Sequence, residues 1–462
     1  MAIFVVTSNA DVSDANDGVL TLREAIALAN ATAGTDTIVF DAAVFDGGEN
    51  SLVRLTQGEL SSNGALIIDG STATDVTITG DAEGDDTLRT GTNLTDVKGS
   101  TADQLDDNTR VFAAADDTTL QGLTITGGRT TATNADGGGV RVSGDLILRD
   151  SQIIGNSTTG TASEGGGVKA TGFVHVVDST VSDNHTSGNS ARGGGFHAVG
   201  DAVILRSTLA DNSTTGQEGD GGAVRGDGAG GILVIDSTVS GNSTSGRGSS
   251  GGGLQARQGD LVAINTTVVD NHASNTSNSP GGGLHSNFSI NIINTTVTGN
   301  SSGTSGGGIQ AEDNTRVANS IVAGNAGQPF DNVAAGNVRI SSNSTIGNDD
   351  VEEIFKETAP NAANPGVQSG VLDDNGGPTE TVALKEDRSN PAIDTVPGTQ
   401  ILGPTLNEAE LDLDLNGDGD RTDVLDSIDD FQNAQRGEGN AREVIQGPLG
   451  GLDRGAVEVG FL

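Results

Sequence analysis

The chain has 462 residues and a formal net charge of −40, with 71 glycines and no cysteine, tryptophan or tyrosine. The lack of cysteine excludes disulfides and thiolate metal sites, and the strong acidity disfavours nucleic acid and anionic membranes as general partners. No apolar run is long enough to span a bilayer, and the start MAIFVVTSNADVSD lacks the basic and apolar regions of an ordinary signal peptide.

The first predicted element is a short helix in TLREAIALANA, residues 21–31. Thr21 and Glu24 have the spacing of a capping box, and Leu22, Ile26 and Leu28 form an apolar face. A solenoid must cover its open end. We therefore expect residues 1–45 to be an N-terminal cap that carries this helix.

Residues 46–345 are predicted to form a solenoid. Gly-rich triplets followed by one apolar residue begin at 137, 165, 193, 221, 251, 281 and 306, and a second motif of the type DSTVSDN closes on Asn156, Asn184, Asn212, Asn242, Asn271, Asn300 and Asn325. Repeats of this length indicate stacked supersecondary units. The intervening segments, such as VHVVD and ILVID, are short, β-branched and alternating, which is typical of strands. The pattern predicts a single right-handed parallel β-helix with two or three strands in each coil and regular repeats over about 118–330.

The aligned asparagines and the glycine triplets are interpreted as structural. An asparagine at one position of every coil predicts an internal ladder of side-chain amides at a turn. Glycine permits conformations and close backbone approaches that other residues resist.

A column of polar residues follows the triplets. The apolar residue after each triplet should point into the core, so the next residue should point outward. These outward residues are Arg141, Lys169, His197, Arg225, Gln255, His285 and Gln310. Five of the seven are Arg, Lys or His, and stacked like charges about 4.8 Å apart repel one another.

Two explanations of this cationic column remain open. Acidic residues that precede the triplets, Asp136, Glu164 and Asp220, would make it a solvated ladder of ion pairs. Alternatively, the column binds an acidic polysaccharide laid along the axis. β-Elimination from such a glycan needs a group that neutralises the uronate carboxylate and a base that removes the C5 proton. Lys169, His197 and Arg225 are the candidate catalytic residues, and Arg141, Gln255, His285 and Gln310 are candidate substrate-binding residues.

The C-terminal region, residues 346–462, is predicted to be an irregular cap with a calcium loop at residues 412–423, DLDLNGDGDRTD. Its candidate ligands have the spacing of an EF-hand loop: Asp412, Asp414, Asn416, Asp418, Asp420 and Asp423. Gly417 would allow the sharp turn. Ca²⁺ is therefore the expected cofactor, and an acidic stretch at residues 11–18 is a weaker candidate for the same ion.

The ends of the chain are similar to known protein families. TLREAIALANA followed by TDTIVF resembles the CSLREAI-type N-terminal domain, with Thr in place of the Cys-Ser start. The segments DNGGPTETVAL, SNPAID and GLDRGAVEVG resemble the tail of choice-of-anchor Q proteins, and the triplet coils resemble polymorphic outer-membrane-type passengers. This resemblance implies a secreted or surface-exposed right-handed β-helix, exported by a route such as type I secretion.

The sequence leaves two main hypotheses of function. The first is an extracellular protein that engages acidic polysaccharide along the column, with lyase chemistry as a candidate activity. The second is a non-catalytic cell-surface adhesin or matrix protein. A subunit that stacks end to end is disfavoured by two capped ends, so a monomer is expected.

Overall fold

The computed structural model describes residues 1–14, 16–86, 105–327, 331–340, 344–347, 351–361, 367–374, 379–385, 396–397 and 451–452. It is an all-β parallel solenoid of about ten turns, as the repeats predict, and is consistent with a right-handed parallel β-helix. No helix among the described residues is both long and apolar enough to cross a membrane.

The chain divides into two compact units. One comprises Met1–Gly200 and Leu209–Arg225, and the other comprises Asp201–Thr208 and Gly226–Leu462. In both units a regular coil contributes up to four strands, which we call first to fourth in chain order after the triplet. The fourth strand is an addition to the two or three that the sequence predicts, because a strand of two residues cannot be distinguished from a turn by its pattern.

The strands of the first unit pair in parallel. The first strands are Leu60–Ser62, Phe112–Ala114, Val140–Val142, Val168–Ala170, Phe196–Ala198 and, at the boundary, Val224–Gly226. The second strands are Ile3–Val6, Asp36–Phe40, Leu66–Asp69, Thr118–Gln121, Leu146–Arg149 and Val174–Val177. The third strands are Leu52–Arg54, Thr77–Thr79, Thr124–Thr126, Gln152–Ile154, Thr180–Ser182 and Thr208–Ala210. The fourth strands are Arg129–Thr130, Ser157–Thr158, His185–Thr186 and Ser213–Thr214.

The second unit repeats this order. Its first strands are Leu254–Ala256, Leu284–Ser286, Ile309–Ala311 and Val333–Ala334. The second strands are Ala202–Leu205, Ile232–Ile235, Leu261–Ile264, Ile290–Ile293, Asn314–Ala318 and Asn337–Ile340. The third strands are Thr238–Ser240, Thr267–Val269, Thr296–Thr298, Ile321–Val322 and Thr345–Ile346, and the fourth are Ser243–Thr244, His272–Ala273 and Ser301–Ser302.

The remaining elements lie near the chain ends. The helix Leu22–Ala29 has the predicted capping box between Thr21 and Glu24. Leu22 and Ile26 are buried as expected, but Leu28 is 46% exposed, and Ala25 takes part in the apolar face instead. The other elements are a 3-10 turn, a short helix and three antiparallel strand pairs: Gly48–Ser51, Val351–Ile354, Thr358–Pro360 with Gln368–Gly370, Leu372–Asp373 with Thr381–Val382, and Val396–Pro397 with Gly451–Leu452.

The asparagine motif forms a corner with two left-handed residues. Its first residue has φ between 46° and 49° in every repeat, as at Asp150, Asp178 and Asn265. The residue before the closing asparagine is also left-handed, with φ of 66° at Gly155 and 56° at Asp183. Asp, Asn and Gly tolerate this region best, which explains why they recur at these two positions.

The closing asparagines form the amide ladder that the sequence predicts. In the first unit the Nδ2 of Asn156 donates to Oδ1 of Asn184, and the Nδ2 of Asn184 donates to Oδ1 of Asn212, both over 3.0 Å. In the second unit Asn242, Asn271, Asn300 and Asn325 are joined in the same way over 2.9 Å. These asparagines have no exposed surface, so the ladder is internal and structural.

The middle glycine of each triplet packs against backbone. A Cβ built on Gly194 would lie 2.3 Å from the carbonyl oxygen of Gly222 and 2.5 Å from that of Ser213. We expect Gly194→Ala to lower the melting temperature by several degrees, because backbone on two sides cannot move away. Gly64→Ala is the control, since nothing lies within 4 Å of its Cβ position. Equal melting temperatures for the two variants would contradict this account.

Candidate functional site

The polar column lies on the first strands, in the predicted register. Val140 pairs with Val168, and Arg141 pairs with Lys169. Lys169 in turn pairs with His197. In the second unit Gln255 pairs with His285, and His285 pairs with Gln310. The triplet repeat therefore aligns these side chains coil by coil within each unit.

Most of the column is covered. Side chains that the sequence analysis placed in solvent are almost fully buried: Lys169 is 5% exposed, His197 1%, Arg225 2%, Gln255 4% and His285 4%. Arg141 is exposed and Gln310 is partly exposed. The column residues do alternate with the core side chains. Alternation determines the face of the strand on which a side chain lies, but not whether other residues cover that face.

At four of the triplets, the residue before the triplet contacts the column residue five positions later. Lys169 Nζ donates to Oε2 of Glu164 over 2.6 Å, and Arg225 pairs with Asp220. In the second unit Gln255 Nε2 donates to Ser250 Oγ over 2.8 Å, and Ser305 Oγ donates to Gln310 Oε1 over 2.7 Å. At these four triplets the chain turns so that a polar side chain partners the column from its own coil.

Glu164 is the centre of a cluster of charges that we call the Glu164 cluster: Glu164, Lys169, Arg192 and His197. Besides Lys169, its Oε2 lies 2.9 Å from His197 Nδ1, and its Oε1 lies 3.2 Å from Arg192 Nη1. Arg192 occupies the same place before its triplet as Glu164, one coil later. One carboxylate therefore joins cations from two adjacent coils.

His197 Nδ1 lies between two partners, because it is also 2.7 Å from Lys169 Nζ. A ring nitrogen with a lone pair accepts from the lysine, whereas a protonated one donates to the glutamate. In either state Glu164 receives a charged hydrogen bond from Lys169.

The Glu164 carboxylate is held in its charged form. Burial raises the pKa of this carboxyl, but hydrogen bonds and positive charge from His197 and Lys169 outweigh the effect and lower the pKa to about 2. At neutral pH the carboxylate is ionised and compensates the Lys169 ammonium. The charges of this cluster are directed toward one another.

Sequence reasoning noticed Glu164 and Asp220 only as neighbouring acids and did not single out Arg192. The signal that would have found the cluster is the constant five-residue offset between acid and cation, together with the alternation of Glu164 and Arg192 on successive coils. The offset predicts direct pairs inside the wall of the solenoid.

The structure describes one of the two predicted calcium-binding segments in part and the other not at all. The loop residues Asp412, Asp414, Asn416, Asp418, Asp420 and Asp423 lie outside the described residues. In the N-terminal acidic stretch, both carboxylate oxygens of Asp11 accept hydrogen bonds from Arg23, over 2.6 and 3.0 Å. Asp11 is thus an anchor for the cap helix.

A different acidic group contains Asp81, Asp85 and Asp107. One carboxylate oxygen from each lies within 4.8 Å of the others. This group could not be predicted from the sequence, because Asp107 is far from Asp81 and Asp85 in the chain and all three lie outside the regular repeat.

Comparisons with known proteins give a likeness of fold. No family model matches the chain, and no curated protein matches it. Among solved structures, the chain is similar to the crystal structure of pectate lyase Pel9A. The match covers 77% of this chain and 83% of the lyase chain, with 12% sequence identity and a TM-score of 0.37.

Proposed function

We propose that the chain is a non-catalytic extracellular scaffold or adhesin, a β-solenoid whose cationic column serves as part of its own wall. The observation that carries this proposal is the Glu164 cluster, in which Lys169 and His197 are buried and bonded to a carboxylate of the same chain. The extracellular placement rests on the resemblance of both chain ends to secreted proteins.

Lyase chemistry at the column is less well supported. A lysine base must reach the proton that it removes, but Lys169 is 5% exposed and its Nζ donates to Glu164 Oε2 over 2.6 Å. Arg225, the candidate partner for a uronate carboxylate, already pairs with Asp220 and is 2% exposed. Each candidate catalytic group is thus engaged by a carboxylate of the same chain.

Acidic-polysaccharide binding without catalysis is the second candidate function. The exposed guanidinium of Arg141, next to Lys169 in the register, supports it. The net charge of −40 opposes it, because like charges repel a polyanion before it reaches a short basic patch. Ca²⁺ in the loop at 412–423 remains part of the proposal on the evidence of its spacing.

We expect the protein to leave alginate, pectate, hyaluronan, chondroitin sulfate and heparin intact, both with Ca²⁺ and with chelator. The measurement is the ultraviolet absorbance of the unsaturated uronate that β-elimination creates. A rise in absorbance that disappears in Lys169→Met would establish a lyase and overturn the scaffold proposal.

Retention on the same glycans, immobilised, tests the second candidate. The scaffold proposal predicts no retention at physiological ionic strength. Retention that Arg141→Gln removes, while the melting temperature stays unchanged, would assign glycan binding to this surface. Arg149→Gln, which alters a partly exposed arginine of the second strand in the same coil, is the matched control.

A further inference from the structure

One connection in the first unit is much longer than its counterparts. Residues 80–111 join the third strand Thr77–Thr79 to the first strand Phe112–Ala114, whereas residues 155–167 make the equivalent connection from Gln152–Ile154 to Val168–Ala170. Asp81 and Asp85 lie at the start of the long connection, and Asp107 lies near its end. The acidic group therefore brings together the two ends of an insertion.

Asp81 is a buried carboxylate with one unsatisfied oxygen. Its side chain has no exposed surface, and its Oδ1 accepts hydrogen bonds from the backbone N–H groups of Gly84 and Asp85 over 2.6 and 3.3 Å. Among the described residues its Oδ2 has no hydrogen-bond donor. A buried charged oxygen without a donor is costly, so such an atom needs a ligand.

Two further oxygen atoms in the same segment share this condition. Oδ1 of Asp107 and Oδ1 of Asn108 are buried, and neither has a hydrogen-bond donor among the described residues. The Asn108 amide is oriented by its Nδ2, which donates to Asp86 Oδ2 over 2.8 Å and to the Gly127 carbonyl over 2.7 Å. In the described part of the chain, these three oxygens outnumber the buried donor without a hydrogen-bond partner that lies beside Asp81, Nη1 of Arg54.

We propose that Asp81, Asp85 and Asp107 bind a divalent cation, and that this ion holds the two ends of the insertion 80–111 together. Ca²⁺ fits best, since it takes six to eight oxygen ligands in flexible geometry and accepts carboxylates, amide oxygens and water together. A cation at this place would satisfy Asp81 Oδ2 and relieve the repulsion among three carboxylates. The site is distinct from the predicted loop at 412–423.

The protein cation beside Asp81 does not satisfy the Oδ2 atom. Arg54 is the nearby protein cation, but its Nη1 lies 3.9 Å from Asp81 Oδ2, beyond hydrogen-bond distance. Arg54 lowers the net charge of the group without satisfying the oxygen, and its own charge should weaken cation binding.

Calorimetric titration of the full chain with Ca²⁺ tests the proposal, in a background of Asp412→Ala and Asp414→Ala that disables the predicted loop. We expect one bound Ca²⁺ in this background and at least a tenfold loss of affinity when Asp81→Asn and Asp107→Asn are added. Asp106→Asn, an exposed neighbour outside the group, is the control and should leave the affinity unchanged.

Two single variants keep the test decisive if the double variant does not fold. Asp85 is exposed, so Asp85→Asn should fold and bind Ca²⁺ more weakly, whereas Arg54→Gln should bind it more tightly because a repelling charge is removed. No stoichiometric Ca²⁺ binding in the loop-disabled chain would overturn the proposal. Binding that is unaffected by substitutions at Asp81, Asp85 and Asp107 would also overturn it.

Discussion

Glu164→Gln is expected to lower the free energy of unfolding by about 3 kcal/mol at neutral pH. The pKa of this carboxyl falls from its ordinary value of 4.5 to about 2 in the folded protein, and each unit of such a difference corresponds to about 1.4 kcal/mol of stability. The glutamine also leaves the ammonium of Lys169, which is 5% exposed, without its carboxylate. Removing one member of a buried ion pair is strongly destabilising for that reason.

Wild type and Glu164→Gln should differ in free energy of unfolding by an amount that depends on pH. This dependence tests whether the ionised carboxylate is the cause of the difference. Because the folded pKa is depressed, the stabilisation is fully present above pH 4.5 and is lost as the pH falls toward 2. Denaturant unfolding of both proteins across this range should show the two stabilities converging. Taking the difference between the two free energies of unfolding cancels the contribution of the other acidic residues, because these titrate in both proteins.

Asp136→Asn is the matched control, since Asp136 holds the same place one coil earlier and its column residue, Arg141, is exposed. We expect a smaller effect, of about 1 kcal/mol or less, because asparagine keeps the Oδ1 that accepts from the backbone N–H of Glu164 over 2.9 Å. Adding Lys169→Met to Glu164→Gln should recover part of the loss, because the buried ammonium that lost its carboxylate is removed. A Glu164→Gln protein as stable as wild type at pH 7 would show that the cluster contributes nothing to the wall.

The fold could be predicted from the sequence because the sequence is repetitive. A triplet and an asparagine motif at nearly constant spacing fix the register of every coil, so the pairing of Lys169 with His197 and the Asn156–Asn184–Asn212 ladder could be predicted. Both depend on positions that recur, and recurrence is what a single sequence shows best.

The environment of the column could not be predicted in the same way. Because side chains alternate along a strand, Lys169 lies on the face that points away from the core. Its burial depends on the turn at the start of the triplet, which covers that face. That turn combines a left-handed Gly165, at φ 70°, with a polar residue directly before it. The sequence shows Glu164 there, but its hydrogen bond to Lys169 is a consequence of the turn geometry.

The acidic group at Asp81, Asp85 and Asp107 shows a second limit. These residues belong to an insertion that interrupts the repeat, so no periodicity relates Asp107 to Asp81. Their proximity follows from the meeting of the two ends of the insertion, where the Thr109 N–H donates to the Gly80 carbonyl over 3.0 Å. The EF-hand-like spacing at 412–423 drew attention because all its ligands are close together in the sequence.

Asn184→Ala is expected to destabilise the protein by about 3 to 5 kcal/mol, because the Asn184 amide connects three coils. Its Nδ2 donates to the carbonyl of Ile153 over 2.8 Å and to Asn212 Oδ1 over 3.0 Å. Its Oδ1 accepts from both the backbone N–H and the Nδ2 of Asn156, each over 3.0 Å. Truncation removes these four bonds in a place that water does not reach, so the groups left behind lose their partners.

Asn189→Ala is the control for this substitution, since Asn189 is exposed and its side-chain oxygen accepts one hydrogen bond, from the backbone N–H of Gln217, over 3.2 Å. Denaturant midpoints should separate the two variants clearly, with the control within about 0.5 kcal/mol of wild type. Asn184→Asp extends the test, because it keeps the shape and the acceptor but turns the Nδ2 donor into an oxygen that faces the Ile153 carbonyl. If Asn184→Asp were as stable as wild type at neutral pH, donation along the ladder would not contribute to stability, and close packing at the corner would account for the recurring asparagine.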